Sequence, residues 1–187
     1  MKKLIAMLLA LTMISVMFVG CSEETATAET TEATEAVVTK EPITATMEEV
    51  VNGIIEKNPV EFMGGCMPVD LTDTSEDGLW MISNYTGLQN AEKINEVAVY
   101  EPMMGSLAFS MVLVRVNDAA EAQAVAQEMS DNIDTRKWIC VEANEKIVVG
   151  YGDVVMLIML DNTNGMTAQS FVDAFVEIAG GELDFTI

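Results

Sequence analysis

The pattern of apolar and polar positions divides the chain into three stretches. Leu4 to Val19 is an apolar run of sixteen residues broken only by Thr12 and Ser15, preceded by Lys2-Lys3 and closed by Gly20-Cys21. From Ser22 to about Ala45 the residues are mostly threonine, glutamate and alanine with no periodicity. Such a stretch buries too little apolar surface to offset the entropy of ordering it, so it is expected to be a disordered tether. From residue 46 to the end, 142 residues alternate between helical and strand periodicities, enough for one domain with one core.

Thr46-Met47-Glu48-Glu49 has the form of a capping box, and Met47, Val50, Val51, Ile54 and Ile55 follow at helical spacing. Asn58-Pro59 ends that helix. Residues 60 to 92 are less regular. Gly64-Gly65 and Pro68 mark irregular chain, and Leu79, Ile82 and Tyr85 predict a short helix before Gly87. Glu96 to Tyr100 reads as a strand and Leu107 to Val116 as a longer one. Asn117 is placed to cap a helix with Ala122, Val125, Ala126, Met129 and Ile133 inward. Trp138 to Val141 is expected as a short strand. Lys146 to Gly150 and Asp153 to Leu160 predict a hairpin around Tyr151-Gly152. Asn162 to Gly165 is turn chemistry. Thr167 then caps a last helix, with Phe171, Val172, Phe175 and Ile178 inward and Gly180 at its end.

Strands grouped between helices predict an α+β fold, a largely antiparallel sheet packed with helices in layers after the tether. Val154 to Leu160 and Met111 to Val114 are apolar at every position. Strands of that kind are buried on both faces, so helices cover both sides or a partner covers one. The expected organisation is a signal segment over residues 1–20, a lipidated cysteine and linker over 21–45, and a single domain over 46–187.

The amino-terminal order, basic then apolar then small, is that of a secretory signal. The apolar run is short of the roughly 20 residues a spanning helix needs. Phe18-Val19-Gly20-Cys21 resembles the bacterial lipobox, with Phe18 where leucine is usual. The resemblance implies that Cys21 takes a lipid and becomes the mature amino terminus. Two or three acyl chains would anchor the chain stably, each buried methylene contributing about 0.8 kcal/mol. Removal of residues 1–20 leaves 7 basic and 30 acidic side chains, a net charge of −23. That balance argues against nucleic acid and against a polybasic grip on lipid headgroups, and favours cations or basic partners at long range. Histidine is absent, which closes Ser-His and Cys-His activation and the commonest transition-metal ligand.

Glu96-Val97-Ala98-Val99-Tyr100 resembles the Glu-aliphatic-Ala-aliphatic-aromatic strand of the domain-of-unknown-function 4358 family, carried mostly by lipoproteins of Gram-positive anaerobes. Val112 to Val116, the acid-started helix after it, and the hairpin from Ile147 through Gly152-Asp153 to Leu157 fit the same pattern, over roughly residues 70 to 178. Val154 stands where that family often has an aromatic. The resemblance implies a cell-surface lipoprotein of unknown biochemical role and brings no catalytic residues.

Four groups of residues carry candidate chemistry. Asp73, Ser75 and Asp77, with Gly78, match the front of a calcium loop, but Asn84 stands where the bidentate glutamate belongs, so a solvated acidic turn is the favoured reading and no cofactor is expected. Met63, Cys66 and Met67, with Met103 and Met104 elsewhere, are soft ligands that suit Cu(I), although methionine usually fills cores. Cys66 and Cys140 are a candidate disulfide whose 74-residue spacing would make it worth about 4 kcal/mol; two separate buried thiols is the alternative. Trp80, Tyr85, Trp138 and Tyr151 would suit a ligand-binding face or, more simply, core packing.

The expected role is a non-catalytic binding or interaction module on the outer face of the cell membrane, its partner an envelope protein or a second copy. The alternative is an extracytoplasmic enzyme using Asp70, Asp73, Glu76 and Asp77, with a divalent metal.

Overall fold

The computed structural model describes residues 40–187. The signal segment, Cys21 and most of the predicted tether lie outside the described residues. Four helices and six strands follow in the order α1 (Met47–Lys57), β1 (Gly64–Pro68), α2 (Glu76–Thr86), β2 (Ile94–Pro102), β3 (Phe109–Val116), α3 (Ala122–Asn132), β4 (Glu145–Tyr151), β5 (Val154–Leu160), α4 (Ala168–Ala179) and β6 (Phe185–Thr186). All strands join one antiparallel sheet in the order β1-β2-β3-β5-β4-β6. The expected α+β class is the observed one.

The alternation of side chains along each strand divides the core in two. Ala98, Tyr100, Phe109, Met111, Leu113, Met156 and Ile158 point to one face, where α1 and α4 cover them with Met47, Val51, Ile54, Phe171 and Phe175. Val97, Val99, Val112, Val114, Val155 and Leu157 point to the other, under Ile82 of α2 and Val125, Ala126 and Met129 of α3. Every residue of β5 is buried. The chain's own helices therefore cover both faces of its doubly apolar strands.

The helix boundaries follow local chemistry. The Thr46 side chain accepts from the Glu49 amide and Glu49 accepts from the Thr46 amide, so the capping box closes as expected. Thr167 caps α4 through the Ser170 amide. Gly87 ends α2 with φ +78° while its Cα lies against the backbone of Met129 and Ile133, so a side chain there would be strained and crowded.

Several expectations are corrected. Gly64–Pro68 is a strand, not irregular chain; it lies on the sheet edge, where Pro68 is tolerated. Trp138 to Val141 is a bend rather than a strand, because Cys140 turns the backbone left-handed at φ +64°. Asp118, not Asn117, caps the turn that leads into α3, while the Asn117 side chain bonds the Glu92 carbonyl. Strand β6 was not expected. Its Phe185 lies opposite Gly150 and fills the space that a side chain there would take.

Residues 40–45, expected as the end of the linker, are among the described residues and make contacts with the domain. Residues 40–45 lie along one end of the sheet as a strap. Lys40 pairs with Asp184 and sits 4.9 Å over the Tyr151 ring, and the Tyr151 hydroxyl donates to the Glu41 carbonyl at 3.1 Å. Ile43 is buried. Arg115 donates to the Ile43 and Ala45 carbonyls at 2.9 and 2.7 Å while its other bonds reach Asp153 at 3.0 Å and Glu96 at 3.3 Å. Glu96 in turn accepts from the Met47 amide at the start of α1.

Arg115→Ala leaves two carboxylates and two carbonyls without their shared donor. It is expected to cost about 2–3 kcal/mol in urea unfolding and to raise amide exchange at the start of α1 before the rest of the domain. Unchanged exchange there would show that the strap is held without Arg115. At acid pH a second element reports. Glu145 accepts from the Ala168 amide and from Asn162, and the first of these bonds, then the second, hold its carboxyl below the ordinary 4.5. A carboxylate whose pKa is depressed by folding stabilises fully above the unfolded value and loses that contribution as pH falls through the folded one. Thermal unfolding followed downward from about pH 5 should therefore fall less steeply in Glu145→Gln than in the parent.

Candidate functional site

The sheet has two unlike ends. At the strap end Glu96, Arg115, Val154 and Tyr151 lie in one cross-strand row. At the far end Gly64 opposes Pro102, and Leu160 opposes both Phe109 and Glu145. Helix α1 runs from strap end to far end, where the Asn58 amide donates to the Ser170 hydroxyl near the start of α4 at 2.8 Å. Between these helix ends opens a cleft of about 670 Å³. Phe62, Leu107, Met166 and Phe171 give it apolar walls, Asn58, Thr167 and Ser170 give it amide and hydroxyl groups, and Glu61 is its one charged lining residue. The aromatic walls are fixed from beneath: Phe109 lies 5.1 Å from the ring centroids of both Phe62 and Phe171. A cleft of this size with convergent polar groups suits a ligand or a partner's side chains.

The strongest polar cluster in the core lies under α2. Lys137, with only 4 % of its side chain exposed, reaches Glu101 Oε1 at 2.7 Å, the Asn84 carbonyl at 3.1 Å and Ser110 Oγ at 3.3 Å. The Ser110 hydroxyl donates to the same Glu101 oxygen at 2.7 Å. The Tyr85 and Trp138 rings stand 5.1 and 5.5 Å from the ammonium, within cation–π range. Burial pushes the Lys137 pKa below its ordinary value, with Glu101 pulling back against it. Burial, then Glu101, raises that of Tyr85. A lysine beside a serine is the arrangement by which a hydroxyl is activated as a nucleophile. Here Ser110 is wholly buried and its hydrogen is given to Glu101, so the cluster is closed to an acyl group and acts as a pin for the loop after α3.

The residues singled out in the sequence separate. Asp73 accepts from the Ser75 amide, Ser75 caps α2 through the Gly78 amide, and Asp77 lies in the first exposed turn of that helix. Asp70 accepts from both the hydroxyl and the amide of Thr72, and Glu76 is exposed at the start of α2. These bonds, the side-chain one first, hold Asp70 and Asp73 below the ordinary carboxylate value. No group of three or more carboxylate or thiol side chains placed to hold a metal occurs among the described residues.

Cys66 and Cys140 are both free. Cys66 packs toward the α1–α4 core, where burial and then the nearby Glu48 charge raise its thiol to about 11. Cys140 is exposed, unlike the buried thiol that the alternative reading expected. The four aromatics do not form one face. Tyr85 and Trp138 meet at Lys137, Trp80 is exposed on α2, and Tyr151 packs in the core at the strap end.

The chain matches no protein-family model, no curated protein and no solved structure.

Sequence reasoning missed both the cleft and the Lys137 cluster. A signal for the second was present, since a lysine next to tryptophan and a serine inside an apolar strand both need partners when buried. Lys137→Met strands the Glu101 carboxylate against the sheet and is expected to cost about 3 kcal/mol, whereas Lys137→Met with Glu101→Gln recovers much of it. Urea unfolding of the two singles and the double reads this directly; strictly additive losses would mean that the two side chains are not one buried unit.

Proposed function

We propose that the chain is a lipid-anchored, extracytoplasmic binding module of the cell envelope, similar to lipoproteins of the domain-of-unknown-function 4358 family, with the far-end cleft as its contact surface. The observation that carries this reading is the opposition of the two ends. The described chain enters along the strap end, and the cleft opens at the other. A domain attached through residues before Lys40 would thus turn the cleft away from its attachment.

Two further features support the reading. The order Lys2-Lys3, Leu4 to Val19 and Gly20-Cys21 suits export and acylation. The cleft's chemistry, apolar walls with amide and hydroxyl groups and a single carboxylate, suits holding a partner more than transforming it, since it supplies no acid–base pair. The excess of carboxylates favours a partner that brings positive charge.

A photo-crosslinking residue placed at Asn164, on the cleft, should trap an envelope partner in intact cells, while one at Asn117, beyond the strap end of β3, should not. Absence of adducts at both positions, with the protein strictly monomeric, would defeat the binding reading. Cys21→Ala should abolish membrane fractionation. A variant that still matures and sediments with membranes would remove the anchor from the proposal and leave the cleft to be judged on the crosslinks alone.

A further inference from the structure

The far-end cleft continues outward into an apolar rim. Met63 follows the lining residue Phe62, and its carbonyl accepts from the Met103 amide at 2.9 Å, one step past the Gly64–Pro102 pair. Met103 and Met104 begin the connection from β2 to β3, and Leu107 of the same connection forms part of the cleft wall. Ile139 is drawn to that connection by the bond from its amide to the Gly105 carbonyl at 2.8 Å. Met63 and Met103 are each 77 % exposed, Ile139 72 % and Met104 59 %. Methionine adapts to apolar partners of varied shape, and surfaces rich in it recur where peptides bind. Cys66, which the sequence grouped with Met63 and Met67, faces the α1–α4 core and takes no part in this surface.

Inside the cleft the polar groups are largely spent on one another. The Asn58 amide donates to the Ser170 hydroxyl, that hydroxyl donates to the Thr167 carbonyl, and the Thr167 hydroxyl accepts from the Ser170 amide. A sugar, which is held by many directed hydrogen bonds, finds few free partners there. What remains free is apolar wall and the carboxylate of Glu61. Two more carboxylates flank the cleft. Glu145 accepts from the Ala168 amide, beside the lining residue Thr167, and Asp161 accepts from the Thr163 amide, beside Asn164. Those backbone bonds, first among the causes, hold both carboxyls below their ordinary values. Among the described residues no basic side chain pairs with any of these three. Lys57, next to Asn58, is turned to Glu177 at 2.7 Å, and Lys137 is buried against Glu101. The far end therefore presents apolar surface within a negative field.

We infer that the cleft binds a cationic polypeptide segment, which sets a large apolar side chain among Phe62, Leu107, Met166 and Phe171 and a neighbouring lysine or arginine against Glu61. This rests on the binding reading of the cleft and adds the chemistry of its occupant. The apolar anchor supplies affinity by leaving water for aromatic and aliphatic walls. The basic neighbour supplies selection, since an acidic or uncharged segment gains nothing from the surrounding carboxylates. The rim of Met63, Met103, Met104 and Ile139 takes a second apolar residue of the same segment. A second copy of this chain is a poor occupant, because its own excess of carboxylates would meet the same field.

The probe is a library of phage-displayed random dodecapeptides selected on the purified full chain. Selected sequences should carry lysine or arginine next to leucine, phenylalanine or methionine. Glu61→Gln should weaken a selected peptide, read by fluorescence anisotropy, about tenfold. Glu61→Lys should weaken it further and should bind instead the same peptide with glutamate in place of its basic residue. Glu121→Lys makes the same change in net charge on the exposed turn before α3 and should leave binding within about twofold. Replacing the exposed Met103 and Met104 by serine should cost about fivefold. Selection of acidic or uncharged sequences, failure to select any peptide, equal losses in Glu61→Lys and Glu121→Lys, or a dimer formed without peptide would each overturn the inference. An Asn164 adduct in cells to a partner segment without basic residues would overturn this chemistry and leave the binding reading standing. Basic peptides that obey the charge swap, with no adduct in cells, would remove the envelope partner and keep the chemistry of the cleft.

Discussion

A strand ladder with no polar face governs this structure. β3 and β5 are paired over seven positions, from Phe109 opposite Leu160 to Arg115 opposite Val154, and nearly every side chain between them is apolar. Such a ladder is insoluble unless both faces are covered, which requires helices on each side and makes the domain three layers thick. The topology meets this with two helices per face. α1 and α4 are the first and last helices among the described residues, and both pack on the same face of the sheet.

Polar atoms within that ladder need partners, and these partners set the details. Ser110 and Arg115 are the exceptions in β3. Ser110 draws in Glu101 and Lys137, which holds the loop after α3 down on one face. Arg115 draws in Glu96 and Asp153 and still has donors left for the Ile43 and Ala45 carbonyls. The described residues hold few basic side chains, and two of them serve as internal ties. Removing water from ions is costly, and such clusters are retained where each ion is nearly fully paired. Among the described residues no buried side-chain polar atom lacks a partner.

Much of this was legible in the sequence wherever a local signal existed. The capping box of α1, the Thr167 cap of α4 and their helical spacing defined those two helices, and the Tyr151-Gly152 break between two apolar runs defined the β4–β5 hairpin. The misses share a physical cause. β1, with Gly64, Gly65 and Pro68, has no strand propensity of its own and exists because β2 offers it a ladder. Residues 40–45 have the composition of a linker, and are ordered by side chains from Arg115, Tyr151 and Asp184, all more than sixty residues away. Trp138 to Val141 has strand-like residues but is bent to carry Lys137 inward. The cleft was out of reach for the same reason, since its walls come from three segments (58–62, Leu107 and 164–171) far apart in sequence.

The strap also bears on how a tethered domain would carry load. Its contacts run to β3 through Arg115, to β4 through Tyr151, and to the segment before β6 through the Lys40–Asp184 pair. Tension applied before Lys40 would therefore enter the sheet at several strands together and would have to break those ties before it reached the first turn of α1. The remaining bond at that turn, from the Met47 amide to Glu96, is itself braced by Arg115. A domain loaded from that side would need α1 protected in this way, because α1 and α4 together cover one core face. Its loss would expose Tyr100, Phe109 and Met111 to water. Ordering residues 40–45 onto the sheet costs conformational entropy, and the attachment at three separate points is the structural return that offsets it.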